Sequence, residues 1–210
     1  YQFGETVSGL IGVTVNADCL IGGGIYGTIL ELDDEVVVLD IGGGGEGFIG
    51  RVKKQQVIAI DARTGERRWH FQMVHHDVWN MDNPDAPHLV DINVDGRRIP
   101  AIAAVTKQGF TYVFNRATGE EVWPIEERPV PQSKIPGERT APTQPFPTRP
   151  AAFDLQGISD ETLINLTPEL KSEAWDIVRQ FEHGPLFTPP SFKGTINLPG
   201  WAGGAEWTGA

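Results

Sequence analysis

The sequence predicts an all-β chain built from four-stranded antiparallel sheets, and three observations carry that prediction. Gly 25 and Pro 16 together make up close to a fifth of the 210 residues, well above the roughly 12% of ordinary usage, which leaves little room for long helices and excludes an all-α bundle. A segment repeats without gaps: VIAIDARTGERRW, Val57 to Trp69, aligns on TYVFNRATGEEVW, Thr111 to Trp123, with the two tryptophans 54 residues apart. Both copies run from an alternating β-rich stretch through Thr-Gly-Glu into a second short run that ends on tryptophan. That is a hairpin pattern, with glycine where a positive φ is required.

The elements follow in order. Residues 1–55 form a divergent, Gly-rich and β-rich segment that contains a weak echo of the repeat, VVVLDIGGGGEGF from Val36 to Phe48. Its glycine clusters, Gly22 to Gly24 and Gly42 to Gly45, lack the spaced pattern and following helix of a phosphate loop and read as loops. Residues 56–125 hold the two good copies. Between them, His88 to Asn93 reads as a strand, Val94-Asp95-Gly96 as a turn and Arg98 to Thr106 as a strand, so one period holds about four strands. Four short antiparallel strands per period suggest a β-propeller. A ring of 4 to 8 blades needs more residues than 210 at this period, so the chain is expected to be an arc of a longer protein and inactive alone.

Residues 126–190 read as a Pro-rich loop followed by a helical insertion. Pro129, Pro131, Pro136, Pro142, Pro145, Pro147 and Pro150 make the first part an extended surface excursion. Thr167 is a good N-cap before Pro168 and Glu169, and Leu170, Ala174, Ile177, Val178 and Phe181 share one helix face. Ser159, Asp160 and Glu161 start a shorter helix. Residues 191–210 return to strand at Lys193 to Leu198 and stop in a glycine-rich stretch, the truncated start of a further blade.

Charge and composition narrow the function. The formal net charge of −11 argues against nucleic-acid binding, which needs a basic face. Cys19 is the only cysteine, so neither an intrachain disulfide nor a thiolate metal cage is expected. The longest uncharged stretches near the start, Thr6 to Ala17 and Cys19 to Leu30, are twelve residues each, too short for a transmembrane segment. The chain opens on Tyr1 without a basic n-region, so any targeting signal has been removed or lies outside it.

The Thr-Gly-x-x-x-Trp hairpin with an Asp three residues before the Thr resembles the tryptophan-docking motif of the eight-bladed quinoprotein dehydrogenases, with Ala59, Asp61, Thr64, Gly65 and Trp69 at the matching positions. FQMVHHDVWNMDNP, TKQGFTYVFNRATGE, ERPVPQS, PTQPFP and FTPPS resemble the membrane-bound glucose dehydrogenase branch, whose members bind pyrroloquinoline quinone (PQQ). The resemblance covers roughly Gln56 to Ala210 and implies a partial eight-bladed propeller. It also implies PQQ with Ca2+ (or Mg2+), oxidation of a sugar or alcohol by hydride transfer, ubiquinone or a cytochrome as electron acceptor, and a periplasmic location at the cytoplasmic membrane.

Such chemistry needs a base for the hydroxyl proton, a cation to polarise the acceptor carbonyl and a cationic donor at the reduced oxygen. By resemblance Lys107 is that donor, Glu206 and Trp207 lie next to the quinone, and His75 or His76 contacts substrate. The family's base position, 27 residues before the lysine, is Asn80 here, and an amide cannot take a proton. Asn80 retains a carbonyl oxygen that can ligate a divalent cation and a side chain near the cofactor. Asp82 and Asp77 are then the candidate catalytic acids, ligands or purely structural residues. Two rivals stand beside this reading: a non-catalytic propeller scaffold, as in outer-membrane assembly lipoproteins, which Asn80 favours, and a zinc hydrolase on His75, His76 and Asp77. The latter suffers because adjacent histidines on a strand face opposite ways.

Overall fold

The computed structural model describes residues 29–32, 36–41, 56–61, 66–81, 83 and 87–205. Four strands, β1 (Ile29–Leu32), β2 (Val36–Ile41), β3 (Gln56–Asp61) and β4 (Arg67–Gln72), form a sheet in sequential order, antiparallel throughout. A second antiparallel sheet holds β5 (His88–Val94), β6 (Arg97–Val105) and β7 (Thr111–Asn115). The expectation of four strands per period is met, since β3, β4, β5 and β6 precede β7, the equivalent of β3. The echo at Val36 is not a third copy. β2 pairs beside β3 in the same sheet, with Val38 opposite Ala59, whereas true copies occupy equal places in successive sheets.

The two copies share a local bond. Asp61 N–H donates to Glu66 O, and Asn115 N–H donates to Glu120 O, both at 2.8 Å. In the second copy the Asn115 carboxamide oxygen also accepts from Ala117 N (2.9 Å), and Gly119 turns the chain at φ +76. The closing strand of that copy shrinks to a single bridge, Phe114 to Glu121, so Trp123 ends no regular strand.

Trp69 ties the sheets together. Its indole N–H donates to Arg116 O at 3.0 Å, and its ring lies so close to Gly119 that a β-carbon there would sit 2.6 Å from Cγ. Trp69 leads into an aromatic core: Phe114 lies 5.9 Å from it, Phe71 4.9 Å from Phe114, and Phe110 5.4 Å from Phe146. Phe146 reaches Phe187 at 5.6 Å, and Phe187 meets Trp79 edge-on at 5.2 Å. This ladder runs from the docking hairpin towards the segment after β4. Burial of the Tyr112 hydroxyl within it pushes the phenol well above its ordinary value, and the nearby Glu127 charge acts in the same direction.

Three expectations are corrected downstream. The Pro-rich stretch is not a loop throughout. β8 (Ile125–Pro129) and β9 (Thr143–Pro147) form an antiparallel hairpin, with Gln144, Pro145 and Pro147 buried. Thr148 N–H donates to Pro124 O at 3.0 Å, so the even-numbered amides face β8. Pro145 and Pro147 therefore lack an N–H only on the outer edge, where no ladder bond is lost. The helix α1 (Pro168–Val178) has its Thr167 cap, whose hydroxyl accepts from Leu170 N at 3.3 Å. Only Val178 of its apolar face is buried, however, while Leu170, Ile177 and Phe181 are exposed. Residues 159–163 form a turn instead of a short helix, with Leu163 N–H on Ser159 O. Residues 193–198 are not a strand. Gly194 turns at φ +83 and Thr195 makes one isolated parallel bridge to Glu182. Among the described residues no helix is long and apolar enough to cross a membrane.

Candidate cofactor and substrate site

Two left-handed residues shape the segment that leaves β4. His76 (φ +47) and Asn80 (φ +65) occupy a region that non-glycine residues reach only when the surroundings hold them there. Asp77 does part of the holding: its Oδ1 accepts from Trp79 N and its Oδ2 from Met81 N, both at 2.8 Å. Its carboxylate thus folds the turn and satisfies two main-chain donors. Of the alternatives open for Asp77, the geometry supports the structural one. Trp79, 2% exposed, anchors the turn with an indole N–H donated to Thr188 O at 2.9 Å.

Lys107 arrives from the β6–β7 turn. Gly109 (φ +81) closes this turn with its N–H on Thr106 O at 3.0 Å, and Thr106 N–H reaches Phe110 O at 3.0 Å. Lys107 is only 9% exposed, and its Nζ donates to Asn80 O at 3.3 Å. Its stem runs beneath Gly203, where an added β-carbon would lie 2.4 Å from Lys107 Cγ, and Gly204 N–H donates to Lys107 O at 2.9 Å. Asn80 Nδ2 donates to Trp201 O at 3.4 Å. Three segments distant in sequence, 77–81, 106–109 and 201–204, therefore converge on one lysine. Beneath it, fully buried Gln108 donates from Nε2 to Met81 O at 3.2 Å, while its Oε1 has no partner among the described residues.

The histidines diverge. His75 Nε2 pairs with Glu127 Oε1 of β8 at 2.8 Å, and its main chain is bound by the Gln144 amide of β9. His76 is exposed. Burial raises the Glu127 carboxyl, but the Thr143 hydroxyl and His75 outweigh it and hold the group below its ordinary value. Among the described residues no three His, Cys, Asp or Glu side chains converge as metal ligands, so His75, His76 and Asp77 form no zinc-type cluster. Lys107 and Asn80 lie side by side, with the lysine ammonium on the Asn80 main-chain oxygen. Asp82, Glu206 and Trp207 lie outside the described residues. The sequence reading missed Gly203, Gln108, Gln144 and Glu127. Gln108, Gln144 and Glu127 stand within the motifs that carry the resemblance, and Gly203 within the glycine-rich stretch read as the truncated start of a further blade.

The chain is similar to known proteins over most of its length. It is 41% identical to quinoprotein glucose dehydrogenase of Gluconobacter oxydans (strain 621H), over 73% of this chain and 19% of the relative. The quinoprotein glucose dehydrogenase of Escherichia coli (strain K12) is 40% identical, over 73% of this chain and 19% of the relative. The glycerol dehydrogenase large subunit of Gluconobacter oxydans (strain 621H) is 37% identical, over 72% and 21%. The chain thus spans about a fifth of the length of these curated relatives. A solved structure, europium-containing methanol dehydrogenase, aligns with a TM-score of 0.42 and 23% identity, over 60% of this chain and 23% of that one. Residues 41–210 match the family described as PQQ: glucose/ethanol/alcohol dehydrogenase, beta-propeller domain, and with sheets docked through Trp69 and a lysine at the Thr-Lys-Gln-Gly turn, the chain belongs to that family.

Proposed function

We propose that the protein carrying this chain is a PQQ-dependent dehydrogenase that oxidises a sugar or alcohol. In this reading it works in the periplasm at the cytoplasmic membrane, binds a calcium or magnesium ion with its cofactor, and passes electrons to ubiquinone or a cytochrome. The observation that carries the reading is Lys107, an ammonium fixed in a nearly buried place between a main-chain carbonyl and a glycine strap. Such a group is preorganised to donate to an oxygen that gains negative charge.

The donor set fits an anionic quinone in part. Lys107 supplies positive charge and N–H donors, Asn80 an amide that can donate to a quinone oxygen or ligate a cation through its carbonyl, and Gln108 a buried amide behind them. When bound, PQQ supplies the two-electron acceptor for the CH–OH carbon. Lys107 orients the acceptor oxygen and stabilises its charge. The turn at 75–80 borders the substrate, with His75 and His76 as its hydrogen-bonding side chains. The proton of the substrate hydroxyl needs a carboxylate, and Asp77 is engaged by Trp79 and Met81. Asp82 is therefore the residue we assign to receive it, with Glu206 and Trp207 completing the cofactor side.

The test is reconstitution with PQQ and calcium, followed by dye reduction with glucose, glycerol and simple alcohols. Binding at micromolar PQQ with turnover supports the reading, and Lys107→Met then weakens PQQ binding. Absence of PQQ binding refutes it in favour of a scaffold propeller, the reading that Asn80 and the engaged Asp77 favour. Binding without turnover, with activity gained in Asn80→Asp, places the missing base at residue 80. A positioned general base contributes about 10²–10⁴-fold.

A further inference from the structure

One side chain of the β8–β9 hairpin, Gln144, grips the main chain of the candidate substrate turn. Gln144 is fully buried, and its carboxamide makes two bonds to one residue: Oε1 accepts from His75 N at 2.7 Å, and Nε2 donates to His75 O at 2.7 Å. This reproduces with a side chain the paired N–H and C=O exchange of an antiparallel ladder. A carboxamide presents a donor and an acceptor together in this fork without needing a change of protonation. The grip rests on a firm base. Tyr112 hydroxyl donates to Pro145 O at 2.8 Å, and Phe146 packs between Phe110 and Phe187. On the outer side, Glu127 holds the His75 ring at 2.8 Å.

The placement matters because of what lies immediately after. His76 is left-handed at φ +47 and Asn80 at φ +65. A turn with two such residues persists only when both ends are fastened. Asp77 fastens the inner end through Trp79 and Met81, and Gln144 fastens the entrance at His75. Loss of either frees the turn to relax.

We propose that Gln144 is a positioning residue: it sets the geometry of the His75–His76 turn, so that the β8–β9 hairpin governs which sugar hydroxyl pattern the site accepts. The proposal rests on the dehydrogenase reading for its substrate. Its mechanical half stands on the geometry alone.

The experiment compares Gln144→Met, which preserves length and removes both hydrogen bonds, with Glu127→Gln, an exposed-side substitution that keeps a hydrogen-bonding partner for the His75 ring. Amide hydrogen exchange is measured first, without cofactor. Exchange at His75 is expected to rise about tenfold or more in Gln144→Met, as loss of two buried hydrogen bonds requires, and to stay near wild type in Glu127→Gln. Should Gln144→Met not fold, Gln144→Asn keeps an uncharged carboxamide but is one methylene too short to reach both His75 atoms, and is expected to raise exchange at His75 in the same direction. Steady-state dye reduction with the PQQ-loaded protein then compares glucose, galactose and xylose. The ratio of kcat/KM between sugars is expected to change about fivefold or more, through KM, with kcat within about twofold. Unchanged exchange overturns the proposal, as does faster exchange with unchanged sugar preference. Wild-type protein that reduces no dye with any sugar refutes the dehydrogenase reading, and the exchange data, which need no turnover, keep that failure distinct from failure of the Gln144 grip.

Discussion

Gly119→Ala tests whether Trp69 docking joins the two sheets, and Gly96→Ala supplies its control. The two glycines have nearly the same backbone, φ +76 and φ +77. Their surroundings differ: a β-carbon at Gly96 meets nothing within 4 Å, whereas one at Gly119 would lie 2.6 Å from Trp69 Cγ, 2.7 Å from Cδ2 and 2.9 Å from Cβ. All three contacts are shorter than real β-carbons make, and the last involves the rigid root of the indole, so Trp69 cannot swing aside at its tip. It must move as a whole, which breaks its 3.0 Å bond to Arg116 O and disturbs its packing on Phe114. The left-handed backbone costs an alanine about 1–2 kcal/mol at either site. Overpacking adds about 1–3 kcal/mol at Gly119 alone. Urea unfolding followed by tryptophan fluorescence should therefore give a Gly119→Ala loss exceeding that of Gly96→Ala by about 1–3 kcal/mol. Equal losses, within about 0.5 kcal/mol, refute the claim that the docked indole bears on the turn.

Other outcomes follow from the same geometry. Thr167→Ala removes the hydroxyl that accepts from Leu170 N, at an expected cost of about 1 kcal/mol, seen as faster amide exchange at Leu170. The Glu127 carboxyl is held below its ordinary 4.5, so its pairing stabilises the fold fully above that pH and is lost as pH falls through the lowered value. The Tm advantage of wild type over Glu127→Gln should accordingly be present at pH 6 and close as the pH drops below 4.5; a constant gap refutes the pairing. Lys107→Met should weaken PQQ binding about 10- to 100-fold, the worth of a charge-assisted hydrogen bond, as read by fluorescence titration.

The docking hairpin was legible because its demands are local: a glycine that must be left-handed and a tryptophan at fixed distance leave their mark in a dozen residues. The helix start was legible for the same reason, since Thr167 and Pro168 act on their own first turn. Its apolar face was a poorer guide, because periodicity says which residues align and not whether anything covers them. The proline run misled outright. Prolines read as breakers, yet at alternate positions 145 and 147 they spare one edge of a strand, and only the pairing with β8 shows which edge that is.

The site divides along the same line. Lys107 and Asn80 could be paired from the resemblance, but no local pattern announces that Gly203 must lack a side chain for the lysine stem to pass, 96 residues away in sequence. Nor does any pattern announce that Gln144 binds His75 across 69 residues. Each is a small or neutral residue whose meaning lies entirely in what it touches. Asp77 shows the converse. A carboxylate beside histidines invites a chemical role, yet both its oxygens are taken by main-chain amides that the turn would otherwise leave unpaired. If Asp82 receives the substrate proton, the two aspartates divide labour, one shaping the turn and one working on the substrate. Asp77→Asn, which keeps one acceptor oxygen but loses the charge, should then loosen the turn and raise KM without shifting the acid limb of the kcat profile, while Asp82→Asn should abolish that limb. The reverse pattern would give the base to Asp77 and refute the division.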